Sequence, residues 1–312
     1  MLLMAGSACP MTPAALADTF GTGVNTFTID FVPIGNPGNA ADSTGYGAVP
    51  YNYQIGTYEV SRDTITKANG AGGLGIPLWD TFGSVPTHAA TGMSWYNMAK
   101  FVNWLNTSQG YSPAYNFSEG NFALWSAGDA WTIGGQNLYR NKAAHYFLPS
   151  ENEWYKAAYY DGSQYFKYTT GSNTSPIPVS GGTATATAVY NQDGGQGPAD
   201  IFNAGGLSPS GTMGQGGNAY EWLEGEHDGV NDSIVGDRQQ RGGDWSYRSG
   251  NGQPLSYRDD LESSFRDEFN DPTYGHISIG FRVAAVPEPE QYAAAFAVVL
   301  LGAGVWLRRR KV

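Results

Sequence analysis

Cysteine is almost missing from this 312-residue chain, which has one, Cys9. A lone thiol allows no intramolecular disulfide and no cysteine-built zinc site. Charge is sparse as well: 14% of residues are charged, against about a quarter in an ordinary globular domain. Basic residues are the scarcer sign, 17 Lys and Arg against 28 Asp and Glu, giving a formal charge of −11 and a pI near 4.7. Nucleic-acid phosphates would be repelled by such a chain, so no nucleic-acid partner is expected. An acidic surface suits calcium, neutral glycans or plain solubility. Histidine is rare and scattered (His88, His145, His227, His276), without H-x-x-x-H or facial-triad spacing. Neither a Gly-x-Ser-x-Gly elbow, a P-loop nor a dinucleotide fingerprint occurs, and GQGGN (214–218) reads as a loop.

What the chain has in excess is glycine, 43 residues, and aromatics, 14%. That composition predicts a turn-rich, aromatic-stapled fold rather than a helical bundle. Apolar sequence collects at the two ends. Residues 1–17 close on Ala15-Leu16-Ala17, an A-x-A-like processing site, which predicts a signal peptide and a mature start at Asp18. A lipoprotein acylated at Cys9 is the alternative. Near the other end VPEPEQ (286–291) leads into the apolar run 292–307 and then RRRK (308–311). The run is shorter than the ~20 residues of a comfortable span, but the arginines can snorkel, and their charge would keep that end cytoplasmic.

Between these ends one α+β domain is expected over 18–285, with loops at 36–47 and 169–187 where Gly, Ser, Thr and Pro dominate. TFTIDFVPIG alternates as a strand does, and YNYQIGTYEVSRDTIT reads as a strand running into a helix start at Ser61 or Asp63. Two main helices are signalled. In SWYNMAKFVNWLN, Met98, Phe101, Val102 and Leu105 form one apolar face behind an N-cap at Ser94. In PSENEWYKAAYYDG, Ser150 and Glu153 make a capping box, Trp154, Ala157 and Ala158 face inward, and Gly162 ends the helix. Ala157 and Ala158 predict close packing against a flat surface.

The segments SWYNMAKFVNWLN, YFLPSENEWYKAAYY, GGNAYEW (216–222), RGGDW (241–245) and GFRVA (280–284) stand in the order found in the formylglycine-generating enzyme, or sulfatase-modifying-factor, family. The chain resembles that family from about Phe27 to Ala285. NAADSTGYGAVPYNYQIGTYEVS (39–61) is similar to the opening of its bacterial PEP-CTERM-tagged members. The tail 286–311 likewise resembles a PEP-CTERM sorting signal, with a C-terminal apolar helix inserted transiently in the membrane and read by an exosortase; a simple tail anchor is the alternative. The resemblance implies a loop-rich variant of the C-type lectin fold, export, and a cell-surface or extracellular location.

It also implies where chemistry would sit. Catalytic members hold copper on a cysteine pair just after the glycine motif. Here those positions are Tyr247 and Gly252, and the family serine is Asp244. A phenol and a glycine offer no soft ligand for Cu(I), so copper is not expected. Iron-dependent branches draw ligands from a helical domain with no counterpart here, so iron is not expected either. Calcium is the metal the resemblance leaves, through the carbonyls of Gly217 and Ala219 and the side chain of Glu221, with Gly214 where relatives often carry Asn or Asp. Asn191 and Asp193 are weaker candidates for a second site. Arg282 and Arg266 read as buried forks, with Asp244, Glu221 and Asp267 as candidate partners. The loop 245–258 has the character of a saccharide or peptide groove, with Asp244, Trp245, Tyr247 and Arg248 as candidate ligand contacts. Two functions follow: a non-catalytic binding or structural module for a glycan or protein ligand, or a metal-dependent oxidoreductase with a rearranged site.

Overall fold

The computed structural model describes residues 16–79, 81–246, 249–250, 253–254, 257–266 and 269–287. Tyr247, Arg248, Gly252, Asp267, most of the expected leader and the apolar tail lie outside them. Among the described residues no helix is long and apolar enough to cross a membrane.

The expected alternation of TFTIDFVPIG forms a strand. In β2 (Phe27–Ile34), Phe27, Ile29 and Phe31 turn inward. β1 (Leu16–Phe20) pairs with it antiparallel, Asp18 opposite Ile29, so Leu16 and Ala17 on the leader side of the expected cleavage point belong to the same ladder. β3 (Tyr53–Gly56) lies on the other side of β2, and Ala284–Ala285 pairs between β3 and Tyr146–Phe147. The antiparallel sheet thus gathers both ends of the domain. A second sheet runs in the order Phe269–Asn270, Arg238–Arg241, Tyr220–Glu226, Ile279–Gly280, with the last pair parallel.

The three longest of the described helices pack on these sheets. α2 (Trp95–Ser108) starts where Ser94 accepts from the Asn97 amide, and Met98, Phe101, Val102 and Leu105 are all fully buried. Each such side chain contributes roughly 1.5–3 kcal/mol. α3 (Glu151–Tyr159) carries the expected capping box: Ser150 Oγ accepts from the Glu153 amide, and the Ser150 amide donates to Glu153 Oε2. Ala157 and Ala158 are sealed, and α3 lies against the Tyr220–Glu226 strand. The helix ends before Gly162. Tyr160 turns extended and bridges to Tyr165, which halts the hydrogen-bond series first.

α1 (Arg62–Gly72) is a third helix, where the sequence pointed only to a start. Its NGAGG end is poor helix sequence, but Ile65 and Ala68 are fully buried and Gly73 closes it in the left-handed region, at φ 61°. The loop 36–47 is irregular yet tied down: Lys156 Nζ donates to Asn36 O, and Asn39 Nδ2 to Gly47 O.

Candidate functional site

The motifs GGNAYEW and RGGDW run past each other in the core. The Gly217 amide donates to Gly242 O at 2.7 Å. Gly217 has φ +89°, and a Cβ there would stand 2.2 Å from Val189 O; Gly242, at φ +103°, would bring one to 2.7 Å from Gln215 O. Only glycine allows that approach.

Beside this crossing Glu221 and Arg282 are completely buried. Arg282 Nε donates to Glu221 Oε2 at 2.7 Å and Nη2 to Oε1 at 2.5 Å, while Trp154 Nε1 donates to Oε2 at 2.7 Å. The rest of the guanidinium reaches Gly56 O and Met213 O, both at 2.9 Å. Glu221 is therefore the counter-ion of Arg282, one of the pairings the sequence offered. A calcium ion does not fit that carboxylate: its charge is neutralised already, and a dication would face a guanidinium across a dry interior. Gly217 and Ala219 shape the turn.

A second carboxylate, Glu59, sits near the pair and accepts from Asn218 Nδ2 and the Ala219 amide. Burial, then the charge of Glu221, push its pKa well above the ordinary value, against the pull of Arg282. Nearby, Arg140 bridges Glu153 and Glu224, all three buried, at 2.8 Å and 2.6 Å. Burial draws the Glu153 carboxyl up, but Arg140 outweighs it and holds the pKa below the usual value. Nothing in NLYRN or YEWLEGE marked these residues as partners.

Asp244 and Trp245 serve their own turn. Asp244 accepts from the Ser246 amide and hydroxyl at 2.9 and 2.8 Å. Trp245 is 1% exposed and meets Phe82 edge-on at 5.0 Å, so it presents no ring face to a ligand. Arg266 bonds Glu151 at 2.5 Å rather than Asp244, lies over the Tyr46 ring, and is partly exposed rather than buried. Asp193 accepts from the Gly195 amide, another local turn. Among the described residues no three His, Cys, Asp or Glu side chains are grouped to hold a metal. Among the described residues the open hollows include one of about 610 Å³ between β2 and α1 and one of about 200 Å³ beside Tyr51 and Trp131.

A family profile described as "Sulfatase-modifying factor enzyme 1-like domain" matches residues 21–286. No curated protein sequence matches the chain significantly. Among solved structures, Treponema denticola variable protein 1 is similar at TM-score 0.58 and 18% identity, covering 88% of this chain and 100% of that one. CarF aligns at 0.57 and 20% identity, covering 83% and 99%, and PvdO from Pseudomonas aeruginosa at 0.51 and 16%, covering 86% and 98%. At such identities the likeness is one of fold.

Proposed function

The chain belongs to the sulfatase-modifying factor enzyme 1-like domain family, and from that premise we propose that it is a non-catalytic member, an exported module that binds a glycan or protein ligand at the cell envelope. The observation that carries this reading is the donor set. Copper chemistry of the formylglycine-generating type needs paired thiolates, and the chain's one cysteine is Cys9, far in sequence from the glycine motif. Tyr247 and Gly252 stand where the pair would be. A phenol has an ordinary pKa near 10 and offers hard oxygen; glycine offers no side chain. The residues present do not fit copper.

The buried charges support the same reading. Glu221, Arg282, Glu153, Glu224 and Arg140 pair with one another in the interior, as the charges of a scaffold do. On this reading the scaffold is the family's variant of the C-type lectin fold. The signal-like start and the Pro-Glu-Pro, apolar, arginine-rich tail are a leader and a PEP-CTERM signal. The tail spans the membrane in transit and is handed to an exosortase, leaving the domain outside the cell.

Elemental analysis of the purified full-length protein tests the proposal. Copper and iron well below one atom per chain are expected. A stoichiometric amount of either would favour the alternative, a metal-dependent oxidoreductase of the family with a rearranged site.

A further inference from the structure

The hollow between β2 and α1 is walled by four segments distant in sequence: Thr26–Asp30, Tyr58–Thr64, Pro86–Thr87 and Ile201–Phe202. Their backbones are tied together. The Thr57 amide donates to Asp30 O, the Ala90 amide to Val60 O, and the Ile201 amide to Thr87 O. The cleft is thereby preformed, and at about 610 Å³ it is large enough for a small ligand or an extended side chain.

Its chemistry is specific. Tyr58 and Phe202 meet edge-to-face at 4.8 Å. Phe202 is 47% exposed, a large apolar ring left partly in water. Asp30 projects from the half-open face of β2, and its carboxylate receives no hydrogen bond from the described residues. Burial, and then the neighbouring Asp30 charge, push the Tyr58 phenol pKa up. Of the other ionisable groups lining the cleft, Lys67 pairs with Asp63 at 2.7 Å, and Glu59 is buried, accepts from Asn218 and the Ala219 amide, and has its pKa pushed well up by burial. Asp30 is left as the uncompensated charge.

The start of α1 also opens here, but it offers nothing to an anion. The amides of Arg62, Asp63 and Thr64 already donate to His88 O, Pro86 O and Ser61 Oγ. A free carboxylate beside two aromatic rings favours a positive group, through charge and through the ring faces together. We propose that this cleft binds an organic cation, an alkylammonium or guanidinium group such as the tip of a partner protein's lysine or arginine side chain, between Asp30 and the Tyr58–Phe202 pair. The proposal rests on the reading of the domain as a binding module and specifies the chemistry of its ligand. It stands or falls separately from the absence of oxidase activity.

Calorimetric titration of the full-length protein tests it, with three probes: butylammonium, N-acetyl-lysinamide, and N-acetyl-norleucinamide as the neutral match. Saturable binding of both cations and none of the norleucine compound is expected, falling as salt is raised. Asp30→Asn should weaken the cations about two- to fivefold, and Phe202→Ala by a similar factor. Lys67→Met should strengthen them, because it removes the competing ammonium. Asp30 is half-open and unbonded, so Asp30→Asn should melt like the wild type, and a loss of binding is then not a loss of fold. Preference for N-acetyl-lysinamide over butylammonium would point to a peptide side chain, the reverse to a free amine. The proposal is overturned if no cation binds, if the neutral probe binds equally well, or if Asp30→Asn leaves affinity unchanged.

Discussion

Glu221→Gln should destabilise the protein with or without calcium. The substitution keeps the side chain's size and removes the charge that neutralises Arg282, while the amide's own N–H groups would face Arg282 or Trp154 donors in place of an acceptor. Removing one partner from a buried ion pair costs about 3–5 kcal/mol. Two features place this case near the lower end. Arg282 keeps its carbonyl partners Gly56 and Met213. Glu59, whose raised pKa owes part of its shift to Glu221, ionises more readily once that charge is gone and can stand in for it. At about 2–4 °C per kcal/mol for a domain of this size, a loss of ~3 kcal/mol lowers Tm by roughly 6–12 °C. Thermal melts followed by circular dichroism, run in excess calcium and in EGTA, check this. A drop below about 2 °C would refute the ion-pair account. So would a wild-type Tm that rises with calcium and a variant that no longer responds, which is the behaviour of a calcium ligand.

Other consequences follow from the same interior. Glu59→Gln should remove a pH dependence. The folded chain holds a proton at Glu59 that the unfolded chain releases above its ordinary pKa of 4.5, so this group's contribution is full below that pH and is lost as pH rises toward the folded value; melts from pH 4 to 8 should therefore show the variant gaining on wild type as pH increases. Gly242→Ala should fail to reach the native fold, because its Cβ would sit 2.7 Å from Gln215 O on a backbone at φ +103°; a soluble variant with a wild-type melt would contradict the crossing described here. Ser150→Ala should cost about 1 kcal/mol by opening the α3 capping box, read as a fall in denaturant midpoint at unchanged slope. Expressed with its leader in a bacterium able to export it, the mature chain should begin at Asp18 by N-terminal sequencing; a retained Met1 in a cytoplasmic fraction would remove that expectation.

The helices were the most legible part of the sequence, because their information is local. The Met98–Leu105 face follows from spacing alone, and the Ser150–Glu153 box is written within four positions. Arg282 with Glu221 was legible as one of several pairings, since both stand in recognisable motifs. Arg140 with Glu153 and Glu224 was not, because the partners come from three separate segments and a lone Arg in NLYRN carries no mark of burial. The same holds for Arg266, whose partner proved to be Glu151. Trp245 is polar-flanked and lies in a glycine turn, so it reads equally well as a ligand platform or as a core staple; only its contact with Phe82 decides for the staple. The β2–α1 cleft was invisible for a further reason. No one of its four walls carries a ligand-binding motif, and the free carboxylate of Asp30 becomes informative only once Tyr58 and Phe202 stand beside it.

The central claim is that this family member does not oxidise cysteine. Its most direct test is to incubate the full-length protein with a cysteine-containing sulfatase peptide, copper, oxygen and a reductant, and to follow the peptide by mass spectrometry. The account predicts that the peptide keeps its thiol mass and that no formylglycine appears. A copper-dependent loss of thiol mass, with formylglycine accumulating over many turnovers, would contradict it.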